Sequence, residues 1–364
     1  MKFTITRTKF LDGLKSVQNI IGSKGNIQII QNVMIEAKDN ILVLTTTDLD
    51  ISVRNTIECE VVEPGTTTVP AKLLFNSVSK AVEGLVEVET DSNEMMRIKA
   101  GYANFKIAGM PASEFPKLPV DEEACSYTIG QQALREMFRK TSYAASQDDT
   151  RRTLKGVLMR FKDSKLTMVA TDGRRLALVE KEVEFPVSNE KDIILPSKTV
   201  QELQRNLDGE ENVTITLQKT QLCFTFNTLN IYSKLIEDVY PNYAQVIPGE
   251  SGHKITIDRK MLLDALDRVS VMTLDETHFT RLSFSDNCLT VSSAAGEIGE
   301  ATDQVDIKYI GEKIDIVFNP TYIMEMLKAI DDDEVTIHLN SGTSPAMFKC
   351  SIPFLYVIMP LRIS

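Results

Sequence analysis

The chain contains 364 residues, of which 43% are hydrophobic and 25% charged, and its formal net charge at pH 7 is −11. This composition is typical of globular proteins and argues against a disordered, fibrous or collagen-like chain, while the length favours two or three domains. The negative charge argues against a surface that grips nucleic acid everywhere, although it leaves room for one local basic face.

The first elements form a recognisable series. Residues 2–5 alternate polar and apolar side chains and predict a strand. Phe10 and Leu14 begin an apolar spacing of three or four residues, which predicts a helix with one buried stripe. A later strand ends in a polar turn at residues 45–48. Another β-branched strand then meets Pro70, whose fixed φ suits the first position of a second helix.

The same series recurs twice more along the chain. The strand returns at residues 126–129 and 254–257, and the threonine at its third position repeats after 124 and then 128 residues. The proline returns at Pro196 and Pro320, after 126 and then 124 residues. The polar turn returns at residues 169–172, 124 residues on, and is degraded in the third copy.

Each copy closes at a dipeptide ending in proline: Phe115-Pro116, Tyr240-Pro241 and Met359-Pro360. One such junction can arise by chance in a protein of helices and strands, but four landmarks in the same register indicate tandem repeats. We predict an α+β fold of three modules, residues 1–120, 121–250 and 251–364. Each module should pack two helices on antiparallel strands.

Charge is distributed unevenly between helices and strands. Six segments are predicted to be helical: residues 7–24, 70–81, 130–146, 196–206, 258–272 and 319–330. They carry 15 Lys and Arg against 7 Asp and Glu, a net charge of +8, so the remainder carries −19. If the modules place their helices on one side, that side suits a polyanion. A lysine-bearing helix can equally be a solvated surface helix, and the helices of the third module are neutral.

The N-terminus and the cysteines indicate the compartment. Residues 1–7 lack the apolar core and cleavage site of a signal peptide, and no apolar stretch approaches the roughly 18 residues of a membrane span. We therefore expect a cytoplasmic protein without membrane contact. The five cysteines are scattered, without a C-x-x-C pair: Cys59, Cys125, Cys223, Cys288 and Cys350. We expect reduced, mostly buried thiols.

The sequence offers no signature of catalysis. Phosphate-binding glycine loops, zinc-hydrolase motifs and nucleophilic-serine motifs are missing, and His253, His278 and His338 are isolated. The acidic run at residues 331–334 could hold a divalent cation, but its position between a helix and a strand favours a solvated turn. We expect no catalytic residue, metal or cofactor.

The repeat resembles one known family throughout its length. Residues 171–176 (Thr-Asp-Gly-Arg-Arg-Leu), residues 356–362 (Tyr-Val-Ile-Met-Pro-Leu-Arg), residues 1–4 and residues 64–71 look like the β sliding clamps of the bacterial replicative DNA polymerase III. The resemblance implies a DNA clamp fold and a head-to-tail homodimer whose six modules close a ring, with helices lining the channel. It implies a processivity factor rather than an enzyme. The partners implied are double-stranded DNA without sequence preference, the replicative polymerase, the clamp loader and other proteins with clamp-binding motifs.

The resemblance also implies roles for three sets of residues. The DNA-facing set is Lys24, Lys72, Gln147, Arg152, Lys198 and Arg205. The set lining a peptide groove between modules 2 and 3 is Leu154, Thr171, Gly173, Arg174, Arg175, Leu176, Pro241, Val246, Val357, Met359, Pro360, Leu361 and Arg362. The set closing the ring, from module 1 of one chain to module 3 of the next, is Phe105, Ile107, Val271, Met272 and Phe279.

Two departures from the family and three alternatives bear on this interpretation. Arg152-Thr153 replaces an aromatic pair found in some members, and Gln245 stands where arginine is common. Without the resemblance, residues 171–176 would be an Asp-Gly hairpin turn. The chain could also be a monomeric peptide-binding adaptor that never encircles DNA. A small-molecule enzyme with a cleft between modules is a third hypothesis, for which the sequence offers no catalytic candidate.

Overall fold

The structure is a computed structural model that describes residues 1–21, 27–118, 123–218, 221–249, 252–273, 279–294, 299–350 and 353–362. The chain forms two compact units. Unit 1 comprises Met1–Leu134 and Gln201–Leu235, and unit 2 comprises Arg135–Val200 and Ile236–Ser364. Within the described ranges, no helix has the length and apolarity that crossing a bilayer requires.

Each module runs strand, helix, strands, helix and three strands. Module 1 contains β1 (Lys2–Thr6), α1 (Arg7–Val17), β2 (Asn32–Lys38), β3 (Ile41–Thr47), β4 (Ile51–Glu58), β5 (Glu60–Glu63), β6 (Gly65–Pro70), α2 (Ala71–Lys80), β7 (Leu85–Thr90), β8 (Met95–Ala100) and β9 (Ala103–Ala108). Module 2 contains β10 (Glu123–Gly130), α3 (Gln131–Thr141), β11 (Gly156–Lys162), β12 (Lys165–Thr171), β13 (Arg175–Glu182), β14 (Lys191–Pro196), α4 (Ser197–Asn206), β15 (Asn212–Gln218), β16 (Gln221–Phe226) and β17 (Leu229–Lys234). Module 3 contains β18 (His253–Asp258), α5 (Arg259–Ser270), β19 (Thr280–Ser285), β20 (Cys288–Ala294), β21 (Glu300–Asp306), β22 (Ile314–Phe318), α6 (Pro320–Ala329), β23 (Glu334–Leu339), β24 (Ala346–Lys349) and β25 (Phe354–Ile358). The predicted α+β fold with a threefold repeat is confirmed.

Each module contributes strands to two sheets. In unit 1 the strand orders are β5-β1-β7-β8-β9 and β10-β15-β16-β17-β4-β3-β2-β6. In unit 2 they are β14-β11-β12-β13-β25-β24-β23-β18 and β21-β20-β19-β22. Modules therefore meet by strand pairing, β17 with β4 and β13 with β25, both antiparallel. Module 2 shares one sheet with module 1 and the other with module 3, so the boundary between the two compact units runs through module 2. The three predicted module boundaries stay a prediction.

The helices form where the apolar spacing predicts them, but two are shorter than predicted: α1 ends at Val17 and not at residue 24, and α3 ends at Thr141 and not at residue 146. In α1 the buried residues include Phe10, Leu14 and Val17, and Phe10 meets Phe3 of β1 edge to face with ring centroids 6.0 Å apart. Residues at these intervals share one helix face, so the stripe packs on the sheet while the charged positions between them reach solvent.

The prolines fit their predicted position only once. Pro320 is the first residue of α6, and Asn319 caps that helix by accepting the N–H of Thr321. Pro70 and Pro196 instead end strands β6 and β14, and the helices begin one residue later. The prediction was wrong at these two because the sheet retains them. Pro70, for example, has an extended ψ of 112°.

All five cysteines carry free thiols, but the expectation that most are buried was wrong. Only Cys223 is buried, and the other four are partly exposed. Cys59 and Cys350 lie just outside strands, whereas Cys125 and Cys288 lie within β10 and β20, where alternate residues face opposite sides of the sheet.

The first residue of each module's first helix ties it to the end of the second helix. Arg7, Gln131 and Arg259 each donate their backbone N–H, at 2.8–2.9 Å, to a carbonyl that follows the second helix. The two arginines add side-chain bonds: Arg7 donates to the carbonyl of Ser79 at 2.7 Å, and Arg259 to that of Leu327 at 3.1 Å. A cation at a helix C-terminus satisfies carbonyls that lack helical partners and opposes the helix dipole.

Replacing Arg259 by alanine should therefore destabilise the third module. We expect the free energy of unfolding to fall by about 2 kcal/mol, because charge-assisted hydrogen bonds to helix-end carbonyls are lost. The urea midpoint followed by circular dichroism measures the effect. The neighbouring Lys260→Ala removes an exposed charge and should leave the midpoint almost unchanged. Equal effects of the two substitutions would show that the helix-end contact is not what stabilises the module.

Candidate functional site

A tight turn in unit 2 presents part of the predicted groove. Asp172 accepts the N–H groups of Arg174 at 2.9 Å and Arg175 at 3.0 Å. Thr171 accepts the N–H of Gly173 at 3.1 Å and donates its hydroxyl to the carbonyl of Arg175 at 2.6 Å. Gly173 has φ +87°, a conformation that glycine adopts without steric cost. The turn exposes Gly173 and Arg174 to solvent.

The counterpart turn in unit 1 repeats these bonds with different side chains. Asp48 accepts the N–H groups of Asp50 at 3.0 Å and Ile51 at 2.8 Å. The position of Gly173 is taken by Leu49, which has φ +79° and an exposed side chain. The threonine and aspartate side chains therefore set the turn, and the predicted repetition of this landmark is confirmed.

Arg175 lies beneath the turn rather than at its surface. Its side chain is 8% exposed. It donates to the carboxylate of Asp172 at 3.0 Å and to the carbonyl of Tyr143 at 2.7 Å, and it forms an ion pair with Glu325. The guanidinium also stacks on the ring of Tyr322 at 4.1 Å. Burial alone would lower the pKa of Arg175, but the carboxylates raise it above its ordinary value. Its donors are thus used within the protein, and it holds the turn in place.

An apolar cluster adjoins the turn where β13 pairs with β25. Its buried members are Leu158, Val169, Leu176, Ile194, Tyr240, Met347 and Val357, and Leu154, Leu178, Ile236, Tyr243, Ile247 and Leu355 pack against them. The structure thus brings together the predicted Leu154, Leu176 and Val357. It adds Met347 and Leu355, which sequence reasoning missed although their alternation along two strands was a usable signal.

Exposed apolar side chains border this cluster. Val246 is 52% exposed and ends a short helix that begins at Tyr243, itself packed on the cluster. Met359 is 46% exposed, and its N–H donates to the carbonyl of Arg174 at 2.9 Å, which joins the C-terminal segment to the turn. Val246, Met359 and the adjoining cluster form a strip of apolar surface beside the polar turn, which we call the apolar strip. Its shape and chemistry suit a short extended peptide.

The remaining predicted groove residues are not all placed at this strip. Pro241 and Pro360 adjoin Tyr240 and Met359 in the chain. The N–H of Leu361 donates to the carbonyl of Val317 at 2.8 Å, so the chain leads from Met359 toward β22. Leu361 is 40% exposed, and Arg362 is exposed as well.

The predicted DNA-facing side chains that the structure describes are solvent-exposed. Lys72 lies in α2, Lys198 and Arg205 lie in α4, and Gln147 and Arg152 precede β11; Lys24 lies outside the described residues. Arg205 contacts Glu202 at 3.3 Å, and this carboxylate is 1% exposed. Burial raises the pKa of Glu202, while Asn206 and Arg205 act to lower it. The 3.3 Å contact with Glu202 orients the guanidinium of Arg205.

Two of the predicted ring-closing residues lie in an edge strand, and the other three lie in segments that adjoin α5 and β19. Phe105 and Ile107 belong to β9, the edge of the five-stranded sheet in unit 1, and Ile107 is already buried there. Val271, 77% exposed, and Met272 follow α5, and Phe279 precedes β19. In unit 2, β21 is the edge of the sheet that contains β19.

The acidic run after α6 takes part in ion pairs. Asp331 pairs with Arg139, whose hydrogen bonds lower the pKa of the carboxyl, and Glu334 contacts Lys308 at 2.6 Å. In the part of the chain that the structure describes, no cluster of His, Cys, Asp or Glu is arranged to hold a metal ion.

Three family models together span the chain. The DNA polymerase III beta subunit models match residues 1–119 (N-terminal domain), 128–242 (central domain) and 244–362 (C-terminal domain). Among curated relatives, the Beta sliding clamp of Chlamydia muridarum is 31% identical over 363 residues, covering 100% of this chain and 99% of the relative. That of Pseudomonas aeruginosa is 30% identical, with 100% of both chains covered.

Solved structures give the same result. The DNA polymerase III subunit beta from Pseudomonas aeruginosa superposes with a TM-score of 0.95 at 28% identity. The sliding clamp from Bartonella birtlesii bound to griselimycin gives 0.96 at 30% identity. Both cover 100% of this chain and of the compared chain.

Removing the buried guanidinium should test its structural role. We expect Arg175→Ala to lower the free energy of unfolding by about 3 kcal/mol, because it leaves partly buried carboxylates unpaired. Arg174→Ala changes the exposed neighbour and should alter stability by less than about 0.5 kcal/mol. Urea unfolding followed by tyrosine fluorescence distinguishes them. A neutral effect of Arg175→Ala would contradict the positioning role.

Proposed function

Because the chain belongs to the DNA polymerase III β subunit family, the sliding clamps, we propose that it closes around duplex DNA as a head-to-tail homodimer and tethers the polymerase there. As a member of this family it is a processivity factor and not an enzyme. The finer statements concern how the ring closes, how it meets DNA and where partners bind. Acting on the bacterial chromosome, it would work in the cytoplasm.

The proposal of a ring is supported by two edge strands, β9 in unit 1 and β21 in unit 2. By the repeat, β9 of module 1 occupies the place of β17 and β25, and β21 of module 3 occupies the place of β4 and β13. The internal joints pair β17 with β4 and β13 with β25. The equivalent third joint would pair β9 of one chain with β21 of another. A long open strand edge otherwise invites uncontrolled association, so a defined partner is its natural occupant.

A joint between unlike edges is heterologous, so it forms either a closed ring or an open filament. Each chain supplies one β9 edge and one β21 edge, and two chains therefore satisfy each other with none left over. Phe105 and Val271 add apolar surface near these edges. The monomeric adaptor, the alternative hypothesis, leaves both edges without a function.

Contact with DNA would be made through the helices. The six observed helices carry 14 Lys and Arg against 6 Asp and Glu, while the whole chain has a charge of −11. Basic side chains such as Lys72 and Arg205 can contact phosphates without reading bases, which permits sliding. Retention would then depend on the closed ring and only weakly on the contacts.

Partners would bind at the apolar strip beside the turn of residues 171–175. Extended peptides from the polymerase, the clamp loader and other clamp-binding proteins would place apolar side chains against Leu176, Val357 and Met359. Arg174, exposed on the turn, would contact polar groups of the peptide.

Val271→Asp should separate the ring from the adaptor. We expect a monomer by light scattering at micromolar concentration, because a carboxylate cannot be buried unpaired in the joint. The same variant should be lost from closed circular DNA after treatment with the clamp loader, whereas the wild type is retained. Val187→Asp, at an equally exposed valine, should remain dimeric. If light scattering showed the wild-type chain to be a monomer, the proposed ring would be rejected.

Met359→Asp should abolish partner binding without affecting the dimer. We expect the affinity for a synthetic peptide with leucine and phenylalanine anchors to fall at least tenfold, roughly the loss of one interface hot spot. Fluorescence anisotropy measures it, and Val82→Asp, an exposed valine in unit 1, is the control. If Met359→Asp left the peptide affinity unchanged, the apolar strip would not be the partner site.

A further inference from the structure

Two rows of side chains cross one face of the eight-stranded sheet in unit 2. In the first row, successive cross-strand partners are Leu176, Val357, Met347, His338 and Lys254. The first three are buried members of the apolar cluster. The row therefore changes from apolar to basic where β24 meets β23.

The second row lies two residues along each strand and so faces the same side. Leu178 pairs with Leu355, and Leu355 pairs with Lys349. This places Lys349 diagonally beside His338, whose direct cross-strand partner is Lys254. Three basic side chains on three neighbouring strands thus follow directly on the apolar strip.

A recess of about 510 Å³ lies over this junction. Its lining includes Ile247, Pro248, Lys254, His338, Met347 and Lys349. Ile247 and Met347 also belong to the apolar cluster or pack on it. The recess is therefore continuous with the strip where partner peptides are proposed to bind. We call it the basic recess.

The basic recess contains the side chains of two lysines. Among the described residues, neither Lys254 nor Lys349 has a carboxylate within ion-pair distance. Glu334, on the same strand as His338, pairs with Lys308 instead. Burial, followed by Lys349 and Lys254, lowers the pKa of His338. A bound anion would place an opposite charge beside the two lysines.

The repeat supplies an internal comparison. At the first joint, in unit 1, the positions equivalent to the first row are Ser52, Tyr232, Cys223, Thr216 and Ser126. None of them is basic, and Thr225 stands at the position equivalent to Lys349. The basic side chains therefore accompany the apolar strip and are no requirement of the fold.

From this continuity and charge we propose that the basic recess binds acidic residues flanking the apolar anchors of partner peptides. The inference rests on the proposed peptide function of the strip and names a further preference of that site. The carboxylates would contact Lys254 and Lys349 while the anchors occupy the apolar cluster. The recess would then help select among partners with similar anchors.

Five synthetic peptides test the proposal on the full chain. One carries leucine and phenylalanine anchors alone. Two extend it with three glutamates at the N-terminal or the C-terminal end, and two carry glutamines instead. At low salt we expect one glutamate peptide to bind about tenfold more tightly than its glutamine counterpart. The gain should shrink in high salt.

The double variant Lys254→Gln/Lys349→Gln should remove this gain and leave the affinity for the anchor peptide unchanged. Lys162→Gln/Lys191→Gln, which neutralises two exposed lysines of the same sheet, should keep it. If the wild type bound glutamate and glutamine peptides equally, the proposed role of the basic recess would be rejected while the peptide function of the strip would stand. Failure of the anchor peptide to bind would overturn the peptide function as well. If the double variant lost only affinity for oligonucleotides, the recess would be a nucleic-acid contact and the proposal rejected.

Discussion

The structure of this molecule depends on one constraint: the backbone N–H and C=O groups of edge strands must find hydrogen-bond partners. Each module folds into two groups of strands, and each group ends in edge strands whose unpaired backbone groups need partners. Inside the chain, β17 with β4 and β13 with β25 meet that need. The repeat thus builds association into the fold, since the same pairing that joins modules within a chain leaves one edge open at each end of the series.

The two internal joints have diverged in side chains while keeping their backbone. The turn at the second joint buries Arg175 in a set of carboxylate, carbonyl and aromatic partners, whereas the first has Ile51, which is 2% exposed, at that place. Beside them, the cluster containing Leu176 and Val357 replaces Ser52 and Tyr232. The first joint therefore connects two modules, and the second joint connects two modules and also presents a surface suited to ligands.

The sequence was a good guide wherever short-range chemistry decides the structure. Threonine and aspartate side chains fix both turns, so their spacing predicted the geometry even where Leu49 replaces glycine. The burial of Arg175 was not predictable, because it depends on Glu325, 150 positions away. The adjacency of Lys254 and Lys349 also depends on strand order in the sheet, which local patterns do not specify. Proline positions failed by one residue because the sheet competes with the helix for Pro70.

In a closed ring, retention on DNA and recognition of partners are separate physical tasks. Retention by topology allows phosphate contacts to stay weak, and weak contacts permit movement along the duplex. Recognition must then lie on a surface that many partners reach in turn, and a short apolar strip suits this because a peptide needs few residues to occupy it. Such a strip discriminates poorly by itself, since apolar anchors differ little in shape or energy. Charged side chains at its end, such as Lys254 and Lys349, add selectivity at little cost to the fold because they remain solvated until a peptide carboxylate arrives.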